Sequence, residues 1–205
     1  SSFDIHCGGV DNIFPHHENE IAQSKCALDD KFVNYWLHNE HLLVDSQKMS
    51  KSLGNFFTIR DILDKGYKPE ALRYVLISSH YRQKLNFTLN RLDDAQKAIN
   101  KLRELNRRLS NVNSEGESDS SKIEEINNLV IEQFRLSLED DLNISEALGA
   151  LYKWVNKVFV LLDSNNINRI ESKACIEVLS RIDLVLGVVD SKSDLSSEMK
   201  KLISD

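Results

Sequence analysis

The sequence predicts a short parallel α/β unit followed by an all-α antiparallel helical bundle, and three observations predict it. A strand signal, a helical stretch and a second strand signal follow one another between Phe3 and Leu37, the order of a parallel β–α–β unit. From Thr58 onward the apolar residues take helical spacing and keep it to Leu186. Residues 111–121, crowded with Ser, Asn, Glu and Gly, interrupt that spacing as a surface linker.

Each element has a local reason. Phe3, Asp4 and Ile5 alternate apolar and polar and run into Cys7, Gly8 and Gly9, a breaker at the carboxyl end of a strand. Pro15 suits the first turn of a helix whose narrow stripe is Ile21, Ala22, Cys26 and Ala27, stopped by Asp29 and Asp30. Residues 32–37 and 42–44 read as further strands. These pieces are too few for a complete doubly wound sheet. Thr58 with Asp61 three residues on is an N-cap, Gly66 a stop, and Pro69 the first turn of the next short helix. Leu92, Ala95, Ile99, Leu102, Leu105 and Leu109 draw one buried stripe along a long helix over 88–109. Residues 123–138, 144–162 and 170–186 each carry a comparable stripe, with Asn143 and Glu146 as a capping box, so four helices form a small antiparallel bundle. A weak helix is expected over 194–205.

Composition narrows the function classes. Of 205 residues, 41% are hydrophobic and 28% charged, and seven glycines with two prolines exclude a collagen-like or low-complexity chain. No apolar run approaches the roughly 18 residues of a membrane helix. Cys7, Cys26 and Cys175, an odd number at unrelated spacings, argue for free thiols and a cytoplasmic location. The opening residues have no signal-peptide pattern and read like the middle of a domain. The net charge of −6 is uneven: residues 1–110 carry 16 basic and 14 acidic residues, residues 111–205 carry 10 and 18. Contacts with phosphates therefore belong to the first half, with Arg73, Arg82, Lys97 and Lys101 as candidates.

Three segments could carry chemistry. In Pro15-His16-His17-Glu18-Asn19-Glu20, His16 and Glu20 are four apart and share a helical face, so they could converge on one ion. His17 with Glu20 is a competing pair, Cys7 a possible third ligand, and a solvated first turn the plain alternative. Lys48-Met49-Ser50-Lys51-Ser52, followed by Leu53, Gly54 and Asn55, suits a mobile loop that brings two cations to a polyphosphate, with a solvated basic turn as the plain alternative, and lacks the glycines of a Walker A loop. Gly8, Gly9 and Asp11 end a strand where open α/β sheets bind nucleotides, with Asp11 suited to ribose hydroxyls. Trp36 and Trp154 read as core anchors, and Cys175 as buried and inert.

In this order, residues 3–11, 14–23, 35–38 and 48–56 resemble the second half of the catalytic domain of the cysteinyl-tRNA synthetases, which are class I enzymes, and residues 140–148 resemble the bundle that follows. The resemblance implies a Rossmann-type catalytic domain, present here in its C-terminal part only. The implied division is 1–57 for that part, 58–87 for a stem-contact region and 88–205 for the bundle, with the linker near 111–121. It implies ATP-dependent activation of cysteine and its transfer to tRNA(Cys); no membrane partner is expected, and the protein is expected to be a monomer.

His16 and Glu20 are the implied zinc ligands, completed by two upstream cysteines, and Cys7 is not one. Zinc would select the substrate as thiolate. Gly8, Gly9, Asp11, Lys48, Ser50 and Lys51 are the implied ATP contacts, with Mg2+ accompanying ATP; His6 floors the cysteine pocket, and Lys51 assisted by Lys48 is the catalytic cation. The upstream ATP motif of the family is absent, so the chain alone is expected to be inactive. Two other readings stand beside this one, a ligase joining cysteine to an amino-sugar and a non-catalytic tRNA- or partner-binding module.

Overall fold

The computed structural model describes residues 2–28, 32–115 and 120–189; the expected helix over 194–205 lies outside them, as do residues 116–119 of the linker. Strands β1 (Phe3–Gly9) and β2 (Val33–Asn39) pair in parallel, from Phe3 opposite Val33 to Gly9 opposite Asn39. Helix α1 (Glu18–Leu28) makes the connection between them.

Pro15 lies in the turn that opens the helix, with the regular α-helical bonding beginning at Glu18. Phe14 is extended (φ −132°, ψ 131°), because the ring of a following proline disfavours the helical region, and Pro15 stands in a wide turn over Ile13–His17. The expected stripe of α1 is largely uncovered: Ala22, Cys26 and Ala27 are exposed.

A second sheet has the order β4-β3-β5. Strand β3 (Leu42–Val44) turns through Asp45 and Ser46, both at positive φ as a two-residue hairpin requires, into β4 (Gln47–Lys48). On its other side β3 pairs in parallel with β5 (Leu85–Phe87). Between β4 and β5 lie α2 (Ile59–Asp64) and α3 (Pro69–Ile77). Thr58 and Asp61 form a reciprocal capping box, and Pro69 opens α3.

The bundle consists of α4 (Leu89–Ser110), α5 (Ser120–Glu139), α6 (Ile144–Asp163) and α7 (Arg169–Leu186). All six residues of the stripe expected on α4 are buried, packing against α3, α6 and α7. Each of the stripe's five leucine and isoleucine side chains contributes roughly 1.5–3 kcal/mol by leaving water. Trp154 is a core anchor, its indole N–H donating to Asn127 Oδ1 at 2.8 Å. Cys175 is buried beside the same asparagine. One apolar core runs from Val44 through α2, α3, β5 and all four bundle helices, and among the described residues it takes in no side chain before Leu42.

The far end of α7 is fastened from outside the helix. Gly187 takes the left-handed conformation (φ 62°), and Asp183 Oδ1 accepts from the N–H groups of Val188 and Val189, each at 2.9 Å. Arg73 of α3 donates to the carbonyls of Leu186 (2.5 Å) and Val185 (3.2 Å). Arg103 of α4 donates to those of Val189 (3.0 Å) and Val188 (3.1 Å) and pairs with Glu70 at 3.0 Å.

Candidate functional site

A histidine cluster gathers where β1, β2 and the start of α1 meet. His6 on β1 and Trp36 on β2 are register partners, with rings 4.8 Å apart. His6 Nε2 lies 2.7 Å from Glu20 Oε2. The other carboxylate oxygen of Glu20 faces His16 Nε2 at 3.6 Å, as the four-residue spacing on one helical face predicts. Hydrogen bonding to His6 holds the Glu20 carboxyl below its ordinary range.

His17 is 3% exposed and its Nδ1 lies 2.7 Å from His38 Nε2. Burial lowers the pKa of His17, and the neighbouring His6 and His38 lower it further, so its neutral form is favoured. A neutral imidazole is the form that can ligate a metal or accept a hydrogen bond.

The glycines belong to this cluster. A Cβ on Gly8 would stand 2.6 Å from His17 Cε1, and one on Gly9 would stand 2.4 Å from Asp11 Oδ1. At Gly8 only a residue without a side chain lets the buried His17 ring lie directly on the strand end, whereas at Gly9 the exposed Asp11 carboxylate could swing aside. Asp11, in a single 3-10 turn after β1, is exposed. Cys7 is exposed, and strand alternation sends it to the face opposite His6.

His6, His17 and Glu20 have potential ligand atoms within 4.8 Å of one another. His6, His16, His17, Glu20, Gly8, Gly9 and Asp11 are therefore brought together. The 2.7 Å between His6 and Glu20 is a hydrogen-bond distance. The 3.6 Å between His16 and Glu20 is near the ~3.3 Å edge of a tetrahedral zinc shell with ligands at about 2.0–2.1 Å. By chemistry and spacing this donor set suits zinc.

The lysine loop is folded rather than loose. Lys48 ends β4, and residues 51–53 form a 3-10 turn whose cap Ser50 accepts from the Ser52 N–H. Asn55 closes it, accepting from the Ser50 N–H at 2.8 Å and donating to the Lys48 carbonyl at 3.2 Å. Gly54 turns the chain at φ 67°, and Lys51 Nζ stands 5.5 Å from the centre of the Phe56 ring.

His38, Trp36, Asn55 and Phe56 are the participants that sequence reasoning did not single out for the site. The signal for Trp36 and His38 was alternation along β2, which puts them on the face that His6 occupies on β1. Trp36 is thus a wall of the histidine cluster, not a core anchor. Of the expected phosphate contacts, Arg73 is turned to the end of α7 and Arg82 to Asp141. Lys97 pairs with Asp94, and Lys101 donates to Asn156.

Comparison with known proteins adds a second line. Residues 1–97 match the family of tRNA synthetases class I (C) catalytic domain. Along nearly all its length the chain is similar to cysteine–tRNA ligases: 49% identical to that of Brachyspira hyodysenteriae over 99% of the chain, and 42% to that of Chlamydia caviae over 100%. A Leptospira interrogans relative of the same name is 44% identical over 100% of the chain. The chain spans 44–45% of these relatives' lengths. Two solved structures share the fold. LeuRS of Agrobacterium radiobacter K84, in a ternary complex with tRNA and LeuAMS, superposes with TM-score 0.72 at 18% identity, over 91% of this chain and 26% of that one. Mycobacterium tuberculosis methionyl-tRNA synthetase with methionyl-adenylate gives 0.68 at 19%, over 98% and 43%.

Proposed function

We propose, from the premise that this chain is a homologue of the class I cysteine–tRNA ligases along its whole length, that it forms the second half of such a ligase's catalytic domain together with the helical bundle. The reaction of the full-length enzyme would be ATP-dependent activation of cysteine followed by its transfer to tRNA(Cys), in the cytoplasm. The observation that carries this reading is Glu20, a carboxylate approached on its two oxygens by His6 and His16 beside a glycine strand end.

His16 and Glu20 would hold zinc, with the remaining ligands from outside these residues. When bound, zinc supplies a Lewis acid that binds the substrate sulfur as thiolate, a bond that serine cannot replace. His6 fixes Glu20 by the 2.7 Å contact and forms one wall of the amino-acid pocket. Trp36 and the buried His17–His38 pair line the same cluster, His17 neutral near pH 7.

Gly8 and Gly9 let a nucleotide lie against the strand end, and Asp11 accepts from its ribose hydroxyls. Attack of the cysteine carboxylate on the α-phosphorus of ATP, accompanied by Mg2+, forms the acyl–phosphate bond as the bond to pyrophosphate breaks. Lys51, assisted by Lys48 and with Ser50 in the same loop, offsets the growing negative charge. Asn55 keeps that loop wound, so little reorganisation accompanies the step. A hydroxyl of the terminal tRNA ribose then attacks the carbonyl, and AMP leaves. Here the protein contributes position and charge.

Cysteine-dependent exchange between ATP and pyrophosphate by the full-length enzyme tests the activation step. Charging of total tRNA with labelled cysteine tests the acceptor: exchange without charging would instead favour a ligase with an amino-sugar acceptor. Absence of both would favour a binding module.

A further inference from the structure

We infer that Asp141, at the turn between α5 and α6, is a positioning residue for the histidine cluster, acting through Tyr81 on the carboxyl end of β2. The inference rests on the reading of His17 and His38 as part of the functional site.

The β1–α1–β2 unit has no side chain in the shared core among the described residues, so its placement on the bundle does not come from common apolar packing. Besides the chain itself, which passes through Glu40 and His41 to Leu42 at the edge of that core, a polar tie joins them. Two residues beyond His38, the Glu40 N–H donates to the carbonyl of Tyr81 at 2.8 Å. The same Tyr81 donates its hydroxyl to Asp141 Oδ1 at 2.5 Å. Arg82 adds Nε at 2.7 Å from Asp141 Oδ2 and Nη2 at 3.2 Å from Oδ1, and His80 Nε2 stands 3.9 Å from Oδ2. A single residue of the 78–83 loop thus grips the strand with its backbone and the bundle with its side chain.

Two further features make this tie decisive. Asp141 and Leu142 both have positive φ, 51° and 58°, a backbone region that residues with a Cβ avoid. Backbone bonds from the Leu142 N–H to Leu138 and from the Asn143 N–H to Ser137 close this turn, and it presents the Asp141 carboxylate to Tyr81 and Arg82. The junction is also not filled: a cavity of about 430 Å³, lined by Asn39, Glu40, Leu76, Tyr81, Leu142 and Val185 among others, separates the strand end from the bundle. The loop is anchored at both ends, by Ile77 and Leu85 at the core, and meets the bundle through Asp141 and through the Ser145 hydroxyl, which donates to the Ser78 carbonyl at 3.3 Å. Moving the α5–α6 turn moves Tyr81, then Glu40, then His38 and its 2.7 Å contact with His17.

The test uses four disrupting variants of the 205-residue chain and one restoring variant, Asp141→Asn; the four are Tyr81→Phe, which keeps the ring, Asp141→Ala, Asp141→Gly, which suits the positive φ but has no carboxylate, and the Tyr81→Phe/Asp141→Ala double variant. The imidazole NMR signals of His38 and His17, read at one fixed pH, should shift in every disrupting variant. The double variant should shift no further than Asp141→Ala, with the indole N–H signal of Trp154, bonded to Asn127 inside the bundle, unmoved as the internal control. Asp141→Asn, which retains an acceptor for Tyr81, should restore the signals at least in part. In the full-length enzyme Tyr81→Phe should lower kcat for pyrophosphate exchange about tenfold, with the KM for cysteine within twofold, as for misplacement of a reacting group. Unmoved His38 and His17 signals in Tyr81→Phe would overturn the proposal, as would equal restoration by Asp141→Gly. If wild-type full-length enzyme shows no exchange, the ligase reading fails, while the NMR arm still decides the positioning role.

Discussion

Glu20 is the residue on which the site turns, because each of its oxygens answers to a different histidine. In the full-length enzyme, His16→Ala should remove most of the bound zinc by metal analysis, whereas His17→Ala should leave stoichiometry near wild type; the reverse order would assign the ion to the buried histidine. Lys51→Ala should slow adenylate formation by about 10² or more with little change in cysteine binding, as when a charge facing the transition state is lost. Cys175 makes a separate prediction. Burial pushes its thiol up to about 11, so its protonated form adds stability below the ordinary thiol pKa, and that contribution fades as pH rises toward 11. A thiol reagent at pH 7–8 should titrate Cys7 and Cys26 in the native chain and Cys175 only on unfolding. Residues placed by helix periodicity, His16 and Glu20, were legible in the sequence. His38 and Trp36 were not, because their contacts cross between strands far apart in the chain, and one strand carries no mark of which residue will stand opposite.

The elements were legible wherever a local rule decided them. Thr58 and Asp61, Asn143, Pro69 and the α4 stripe all act within a few residues, and the helices stand where those signals put them. Strands β4 and β5 escaped notice because each is only two or three residues long and owes its existence to pairing with β3. At α1, Phe14 is extended ahead of Pro15, as a residue before a first-turn proline should be, and the wide turn over Ile13–His17 runs on into the regular helix. Two measurements follow at this scale. Thr58→Ala should cost about 1 kcal/mol in denaturant unfolding. The same box keeps the Asp61 carboxyl below its usual range through bonds from Thr58, so its contribution is present above the ordinary carboxylate pKa and vanishes as pH falls through the lowered one. Leu102→Ala, at a wholly buried position of α4, should cost about 2–5 kcal/mol.

At the scale of the molecule, one part closes on itself and the other does not. The bundle with α2, α3, β3 and β5 encloses a continuous core, while Ile5 and Tyr35 lie opposite one another and exposed on β1 and β2. Amide exchange should therefore be fast in β1, α1 and β2 and slowest along α4 and α6. The 205-residue chain alone should give no pyrophosphate exchange; robust exchange would mean that a complete nucleotide site exists within these residues. Arg73 and Arg103 add a mechanical consequence. They bolt the carbonyls at the end of α7 sideways into α3 and α4, at partners 85–113 residues away in the chain. Tension applied at Val189 would load those two bolts in shear before α7 could unwind. An optical-trap experiment pulling there should record a single high-force rupture, and Arg73→Ala with Arg103→Ala should turn it into a low-force peel.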